Sequence, residues 1–278
     1  MKKPLVGIGA AAFVFGAAAV IWRIVARKAP KKEAHVRVIM YHSVSDDPKK
    51  WSKYAISPQE FESDLRYLSE NNLSPVTTAD LVAFVANGSP LPENPVMITL
   101  DDGYRNNYDE VFPLLKKYGF CATISLTGEF IESAKEDNHN RSFMLWREAV
   151  EMYESGLADV ANHTWALHRN NGRYGCNKLK EESLEEYKSV LSGDIGALQD
   201  KLEQLTGERP AAFVYPYGAV SPESVDVLRE LGFAASYSVE QGVNTLRADK
   251  DMGQLFGLRR NNRPHGQSSE EFFSEMCN

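Results

Sequence analysis

Short apolar runs alternate with amphipathic stretches along this chain, and four of the runs end in residues able to do chemistry. Val36 to Met40 leads into Tyr41-His42, and Val96 to Leu100 into Asp101-Asp102-Gly103-Tyr104. Leu157 to Val160 leads into Asn162-His163-Thr164, and Ala211 to Val214 into Tyr215-Pro216-Tyr217-Gly218. Continuous apolar runs are what strands covered on both faces look like, and the loops after the carboxyl ends of parallel strands carry reactive groups. The pattern predicts an α/β fold, a parallel β/α barrel that gathers all four tips on one face.

The stretches between the runs read as helices. Ser57-Pro58-Gln59-Glu60 supplies an N-cap, a proline at the first helical position and a glutamate at the third, ahead of Phe61, Leu65 and Leu68. Further helices are expected at Thr78 to Val85, at Val111 to Tyr118 closed by Gly119, at Trp146 to Tyr153 and at Pro222 to Leu231. Lys178 to Leu205 reads as one long amphipathic helix with a solvated charged face. Additional strands are expected at Cys121 to Leu126, Ala234 to Val239 and Leu255 to Arg259.

Leu5 to Trp22 carries no charge and is flanked by Lys2-Lys3 and by Arg23, Arg27 and Lys28, which reads as one N-terminal transmembrane helix. A cleaved signal peptide is the alternative, with Ala17 to Val20 as the small-residue site. Residues 1–34 are therefore taken as a membrane anchor and basic linker, and 35–278 as one catalytic domain. The positive-inside rule alone would leave that domain in the cytoplasm. The formal charge of -7 argues against a nucleic-acid partner, because no basic stripe is present to neutralise phosphates. Cys121, Cys176 and Cys277 lie too far apart to form a zinc knuckle or a disulfide framework, and Cys121 is expected in the core.

The candidate chemistry sits at the tips. His163 and His168 are five positions apart, about 140° around a regular helix, so they share an ion only on a loop or a broken helix. Asp102 is a third ligand, and two imidazoles plus a carboxylate with an open position describe a catalytic zinc-type site. Asp101, beside it, is placed to take a proton from water, and the Pro216-Tyr217-Gly218 turn offers a backbone N–H to a developing oxyanion. In isolation each motif has a plainer reading: Asp-Asp-Gly as a turn, His163 as a capped loop residue and His168 as a surface one.

Thr99 to Tyr104, His163-Thr164 through His168, and Tyr215 to Gly218 resemble the three motifs of the polysaccharide deacetylases of carbohydrate esterase family 4, the NodB homology domain. With Met40-Tyr41-His42-Ser43 the likeness runs from Val36 to Arg260 and is nearest the branch holding poly-β-1,6-N-acetylglucosamine deacetylases. The resemblance implies a distorted (β/α) barrel of the NodB type and a divalent ion held by Asp102, His163 and His168: zinc first, with cobalt, nickel or manganese as other candidates. It also implies Asp101 as base, Tyr217 at the oxyanion, His42 as general acid, and N-acetylated glycan as substrate. Such substrates lie outside the cytoplasm, so the expectation is a single-pass cell-membrane protein with its domain, a monomer, on the extracytoplasmic side.

Two features depart from the family pattern. Val214 stands where many members carry an Arg that orients the catalytic Asp, and no late Leu-x-His is present. Arg259 or Arg260 either reaches Asp101 instead or is an exposed cation. Trp165 either walls the sugar site or packs beneath the histidine loop, Tyr215 and Pro216 support the third motif, and His265 is expected outside the site. Rival readings are an O-deacetylase acting on xylan, an amidase on a non-sugar substrate, and a catalytically inactive glycan-binding protein.

Overall fold

The computed structural model describes residues 32–138 and 141–276; the expected anchor at Leu5 to Trp22 and Cys277 lie outside the described residues. No helix among the described residues is long and apolar enough to cross a membrane. The strands in chain order are β1 (Glu33–Tyr41), β2 (Ser43–Val44), β3 (Ala55–Ile56), β4 (Ser74–Pro75), β5 (Pro95–Leu100) and β6 (Ala122–Leu126). They continue with β7 (Ala158–Asn162), β8 (Ala212–Val214), β9 (Ala235–Tyr237), β10 (Asn244–Arg247) and β11 (Asn261–Asn262). The helices are α1 (Pro58–Glu70), α2 (Thr78–Asn87), α3 (Phe112–Tyr118), α4 (Gly128–Ser133), α5 (Trp146–Glu154), α6 (Leu184–Thr206), α7 (Ser224–Glu230) and α8 (Ser269–Glu275).

One curled sheet organises these elements. Its order is β10-β1-β5-β6-β7-β8-β9, parallel throughout except for antiparallel β10 at the edge. The segment from Leu258 to Arg263 links the far end back to β1: Leu258 bridges Tyr237 of β9, and Asn261 and Asn262 pair in parallel with Ile39 and Met40. The expected strand at Leu255 to Arg259 is displaced accordingly. Leu255 ends a short 3-10 turn, and pairing is concentrated at Leu258 and at β11, where the backbone meets two neighbours.

Alternation along the strands sorts the side chains. Ile98 and Leu100 pack with Phe61 and Leu65 of α1 and Leu115 of α3 in one cluster. Met97 faces the other way and shares a second cluster with Val36, Val38, Ala161, Val214 and Tyr237, drawn from strands across the sheet. The same two-residue period carries Thr99 and Asp101 onto this inner side, so the Asp101 tip is an extension of the inner core. Burial of β5 and β6 is complete along their length, so their sequences carry no charge and are mostly apolar, broken only by Thr99, Thr123 and Ser125.

Helix starts follow local hydrogen-bond logic. Capping boxes open α1 (Ser57 with Glu60), α2 (Thr77 with Asp80), α6 (Ser183 with Glu186) and α8 (Ser268 with Glu271). Helix α6 begins at Leu184 rather than at Lys178, because Arg173 and Lys178 tie the preceding residues, through Glu182, into a separate loop. Cys121 precedes β6 and is only partly buried, not a core residue, whereas Cys176 is buried.

Candidate active site

Three of the site's residues have backbones in the left-handed region that side chains other than glycine rarely adopt: Asp102 (φ 74°), Thr164 (φ 72°) and Tyr217 (φ 57°). Each such residue costs about 1–3 kcal/mol, so the surrounding structure must hold it. For the histidine loop the holding groups are visible. Asn162 accepts from the Thr164 N–H at 2.9 Å, and Asp194 of α6 accepts from the N–H groups of Trp165 and Ala166 at 2.8 and 2.9 Å. Gly128 makes room for the loop, since a Cβ there would lie 2.6 Å from the Trp165 ring.

This bend brings His163 and His168 together with Asp102. Asp102 Oδ1 lies 3.4 Å from His163 Nε2 and 3.1 Å from His168 Nε2, and the three ligand atoms lie within 4.8 Å of one another. Whether the trio fits a cation follows from its protons. His163 Nδ1 is 2.8 Å from the Val214 carbonyl, which fixes the proton on Nδ1 and turns the Nε2 lone pair toward Asp102. Asp102 Oδ1 is buried and has no hydrogen-bond partner. Lone pairs facing one another in a buried space are stable only around a positive charge, and carboxylate with two imidazoles is the donor set of a divalent-metal site. Burial pushes the Asp102 pKa up, but the two imidazoles outweigh it and hold the carboxyl well below the usual range. For His168 burial lowers the pKa and the Asp102 carboxylate raises it, with a net upward shift.

Asp101, one residue earlier, is held differently. Arg260 donates to both of its oxygens at 2.8 Å, and Ser125 donates to Oδ1 at 2.7 Å. Burial raises the Asp101 pKa, but the Arg260 guanidinium brings it down to about 2. Arg260 is fully buried and is itself fixed by the Ser238 carbonyl at 2.8 Å and the Thr99 hydroxyl at 3.2 Å. The Arg missing at Val214 is therefore supplied from the C-terminal segment, and Val214 serves the site through its carbonyl. Arg259 is the exposed one, 3.9 Å from Glu240.

His42 stands across from this pair, its Nε2 4.0 Å from Asp101 Oδ2 and its ring against Tyr54 at 4.8 Å. Burial lowers the His42 pKa while Asp101 and Asp102 oppose that shift. Tyr217 lies over His168, ring centroids 4.5 Å apart, and stacks on Tyr174 at 5.0 Å. Tyr215 is buried, its hydroxyl 2.7 Å from that of Ser224, and Pro216 is buried beneath the turn. These groups line a cleft of about 510 Å³ that also includes Lys53, Tyr54, Tyr104 and Gln241. Trp165 does not line it: its ring packs behind the loop, 6.5 Å from that of Trp146, so it supports the loop and makes no sugar wall. His265 lies outside the cleft, 2.8 Å from Glu60.

Two contributors escaped sequence reasoning. Ser125 sits inside an apolar run and Asp194 inside a helix, with nothing local to single them out. Tyr104 contacts Asp102, and burial with that carboxylate raises its pKa. It closes the Asp101 to Tyr104 tip that the sequence pattern singled out.

The sequence matches the family model described as polysaccharide deacetylase over residues 88–236, and the chain belongs to that family. A poly-beta-1,6-N-acetyl-D-glucosamine N-deacetylase of Staphylococcus epidermidis is 28% identical over 208 residues, covering 74% of this chain and 69% of that protein. The protein of the same name from Escherichia coli K12 is 25% identical over 227 residues, covering 74% of this chain; the chain spans 34% of that relative's length. Among solved structures, IcaB from Ammonifex degensii is 27% identical with a TM-score of 0.68, covering 82% of this chain and 92% of that one. A de-N-acetylase from Aggregatibacter actinomycetemcomitans shares the fold, with a TM-score of 0.72 over 88% of this chain and 99% of that one, at 24% identity.

Proposed function

We propose that this chain is a metal-dependent hydrolase that removes N-acetyl groups from N-acetylglucosamine units of a cell-envelope or extracellular polysaccharide. The names of its relatives make poly-β-1,6-N-acetylglucosamine the first polymer to offer it. The observation that carries the reading is the pair of adjacent carboxylates, one facing two imidazoles and the other held by Arg260 and Ser125. A divalent ion, zinc first, would be held by Asp102, His163 and His168 and would supply Lewis-acid polarisation of the acetyl carbonyl and of the attacking water.

The rest falls to the chain's own groups. Asp101 takes the proton from the attacking water, and Arg260 keeps its carboxylate ionised and aimed. The Tyr217 N–H donates to the oxygen that gains charge as the carbonyl carbon becomes tetrahedral. His42, across the cleft, protonates the departing amine. The aromatic rims at Tyr54, Tyr174 and Tyr217 suit the apolar faces of a sugar ring. Arg260 on both oxygens of Asp101, and His42 4.0 Å from it, support an active hydrolase over an inactive binding protein.

The proposal extends to architecture. The domain is a distorted barrel, monomeric, carried by a single transmembrane helix at Leu5 to Trp22 with the domain outside the cytoplasm. Strand β1 begins where the basic linker ends and runs toward His42, so such an anchor would attach at the end of the sheet away from the catalytic tips. Alkaline phosphatase fused to the C-terminus is expected to be active; silence would reverse the topology.

The deciding assay is acetate release from N-acetylglucosamine oligomers by the detergent-solubilised full chain, after chelation and after restoring zinc, cobalt or manganese. Release that returns with metal supports the reading. Folded, metal-loaded protein that releases nothing from these oligomers, but cleaves acetyl esters of xylan or a non-sugar amide, would replace it.

A further inference from the structure

The proposed reaction makes no use of a buried charged cluster that lies close to the site. Asp64, on α1, is fully buried, and so is its partner Arg263, which donates to Oδ2 at 2.8 Å and to Oδ1 at 3.1 Å. The Tyr41 hydroxyl donates to Asp64 Oδ2 at 2.9 Å, and the Ser269 hydroxyl to Oδ1 at 2.6 Å. Three groups, from β1, the C-terminal segment and α8, thus meet on one carboxylate of α1. A buried ion pair is poor stabilisation compared with an apolar plug of the same volume. What such a cluster offers is fixed geometry.

Its members are the chain neighbours of the catalytic groups. Tyr41 immediately precedes His42, and its carbonyl accepts from the Asp101 N–H at 3.0 Å. Arg263 stands three residues after Arg260, and its N–H is bonded to the Met40 carbonyl at 3.0 Å. The Asp64 carboxylate therefore ties the strand end that carries His42 to the segment that carries Arg260. Asp101 lies between the two. Along the Leu258–Arg263 segment only Leu258 supplies an apolar anchor among the buried side chains, so polar bonds must set its register. A sideways slip there would carry the Arg260 fork off the carboxylate of Asp101.

We infer that Asp64 is a positioning residue for the deacetylation site, acting through Arg263 and Tyr41 to hold Arg260 on Asp101 and His42 across from it. The inference rests on the proposed hydrolase reading for its kinetic test, but its geometric content stands apart from it.

The experiment compares wild type with Tyr41→Phe and with the double variant Asp64→Leu/Arg263→Met, which replaces the pair by apolar groups of similar volume. The double variant is expected to fold, melting somewhat below wild type because the Tyr41 and Ser269 hydroxyls lose their acceptor, to bind zinc equally and to keep its KM, while kcat falls at least tenfold. Misplacement of a reacting group by about 1 Å costs on the order of a hundredfold. Tyr41→Phe, which leaves the ion pair intact, is expected to lower kcat about threefold with KM unchanged. Crystal structures of the variants should show the Arg260 to Asp101 bonds lengthened or lost. A folded double variant with wild-type kcat and unshifted Arg260 and Asp101 overturns the inference. If the double variant does not fold, Tyr41→Phe decides, and wild-type kcat with wild-type geometry there overturns it. If wild-type protein releases no acetate, the hydrolase reading fails and the variant crystal structures decide the positioning role alone.

Discussion

The two halves of the site are built on opposite principles. In one, Asp102 Oδ1 and the lone pair of His163 Nε2 face each other, with His168 Nε2 beside them, in the arrangement of a cation site. In the other, Asp101 is surrounded by donors, two from Arg260 and one from Ser125. The carboxylates are adjacent in the chain, so the contrast comes from the elements that face them, not from the β5 tip. One half could take a metal ion from outside; the other is complete within the chain. Metal removal and substitution should therefore strike the halves separately.

The sharpest separation is Asp101→Asn. The amide keeps the shape but cannot take a proton, so kcat should fall about 10²–10⁴-fold while bound metal, measured by elemental analysis, stays at the wild-type level. Loss of metal along with activity would mean that Asp101 belongs to the ligand half after all. Arg260→Met tests the other half's self-sufficiency. It leaves the Asp101 carboxylate buried without its cation, and breaking such a pair costs roughly 3–5 kcal/mol, read as a lower denaturant midpoint. A midpoint unchanged from wild type would show that Ser125 and solvent satisfy Asp101 without Arg260.

The ligand half should respond to a divalent ion by mass action. Zinc at a hundred times its dissociation constant stabilises by about 2.7 kcal/mol, so chelation should lower the melting temperature of wild type and leave that of His163→Ala unmoved. Equal shifts in both would place the ion elsewhere.

The two halves also differed in how legible they were. The ligand half could be read because its residues follow directly on apolar strands, and because a five-residue histidine spacing excludes a helix. The Asp101 half could not be read in full. Arg260 lies in Leu-Arg-Arg-Asn-Asn-Arg, a stretch with one apolar residue and so no strand signature of its own. Only the alternation of buried Leu258, exposed Arg259 and buried Arg260 distinguishes the two arginines, and that requires knowing that the segment is extended. The curl of the sheet was legible from the parallel strands, but not the Leu258–Arg263 link, which is made of backbone bonds. Helix α8 carried a readable start at Ser268 and Glu271 ahead of Phe272-Phe273, passed over because its seven residues give little periodicity. The choice between the two roles of Trp165 depended on Gly128, distant in sequence.

The smallest effect concerns how the Asp101 half is tied at its outer end. Past Arg263 the chain returns to α1, where Glu60 accepts from the Gly266 N–H at 2.8 Å, from His265 at 2.8 Å and from the Ser57 N–H at 2.8 Å. Partial burial raises the Glu60 pKa, but these donors outweigh it and bring it from 4.5 down to about 2. A carboxyl whose pKa is lower folded than unfolded contributes stability that is fully present above the unfolded value and is lost as pH falls through the folded one. Glu60→Gln should therefore be less stable than wild type at pH 6, and the gap should close between about pH 4.5 and pH 2. Because Glu60 is partly solvated, the gap should be smaller than the loss from Arg260→Met. Denaturant midpoints for the two proteins across that range give the test. A gap that persists unchanged at pH 2 would mean that the amide disturbs the α1 cap itself, with the carboxylate charge contributing nothing to holding the C-terminal segment.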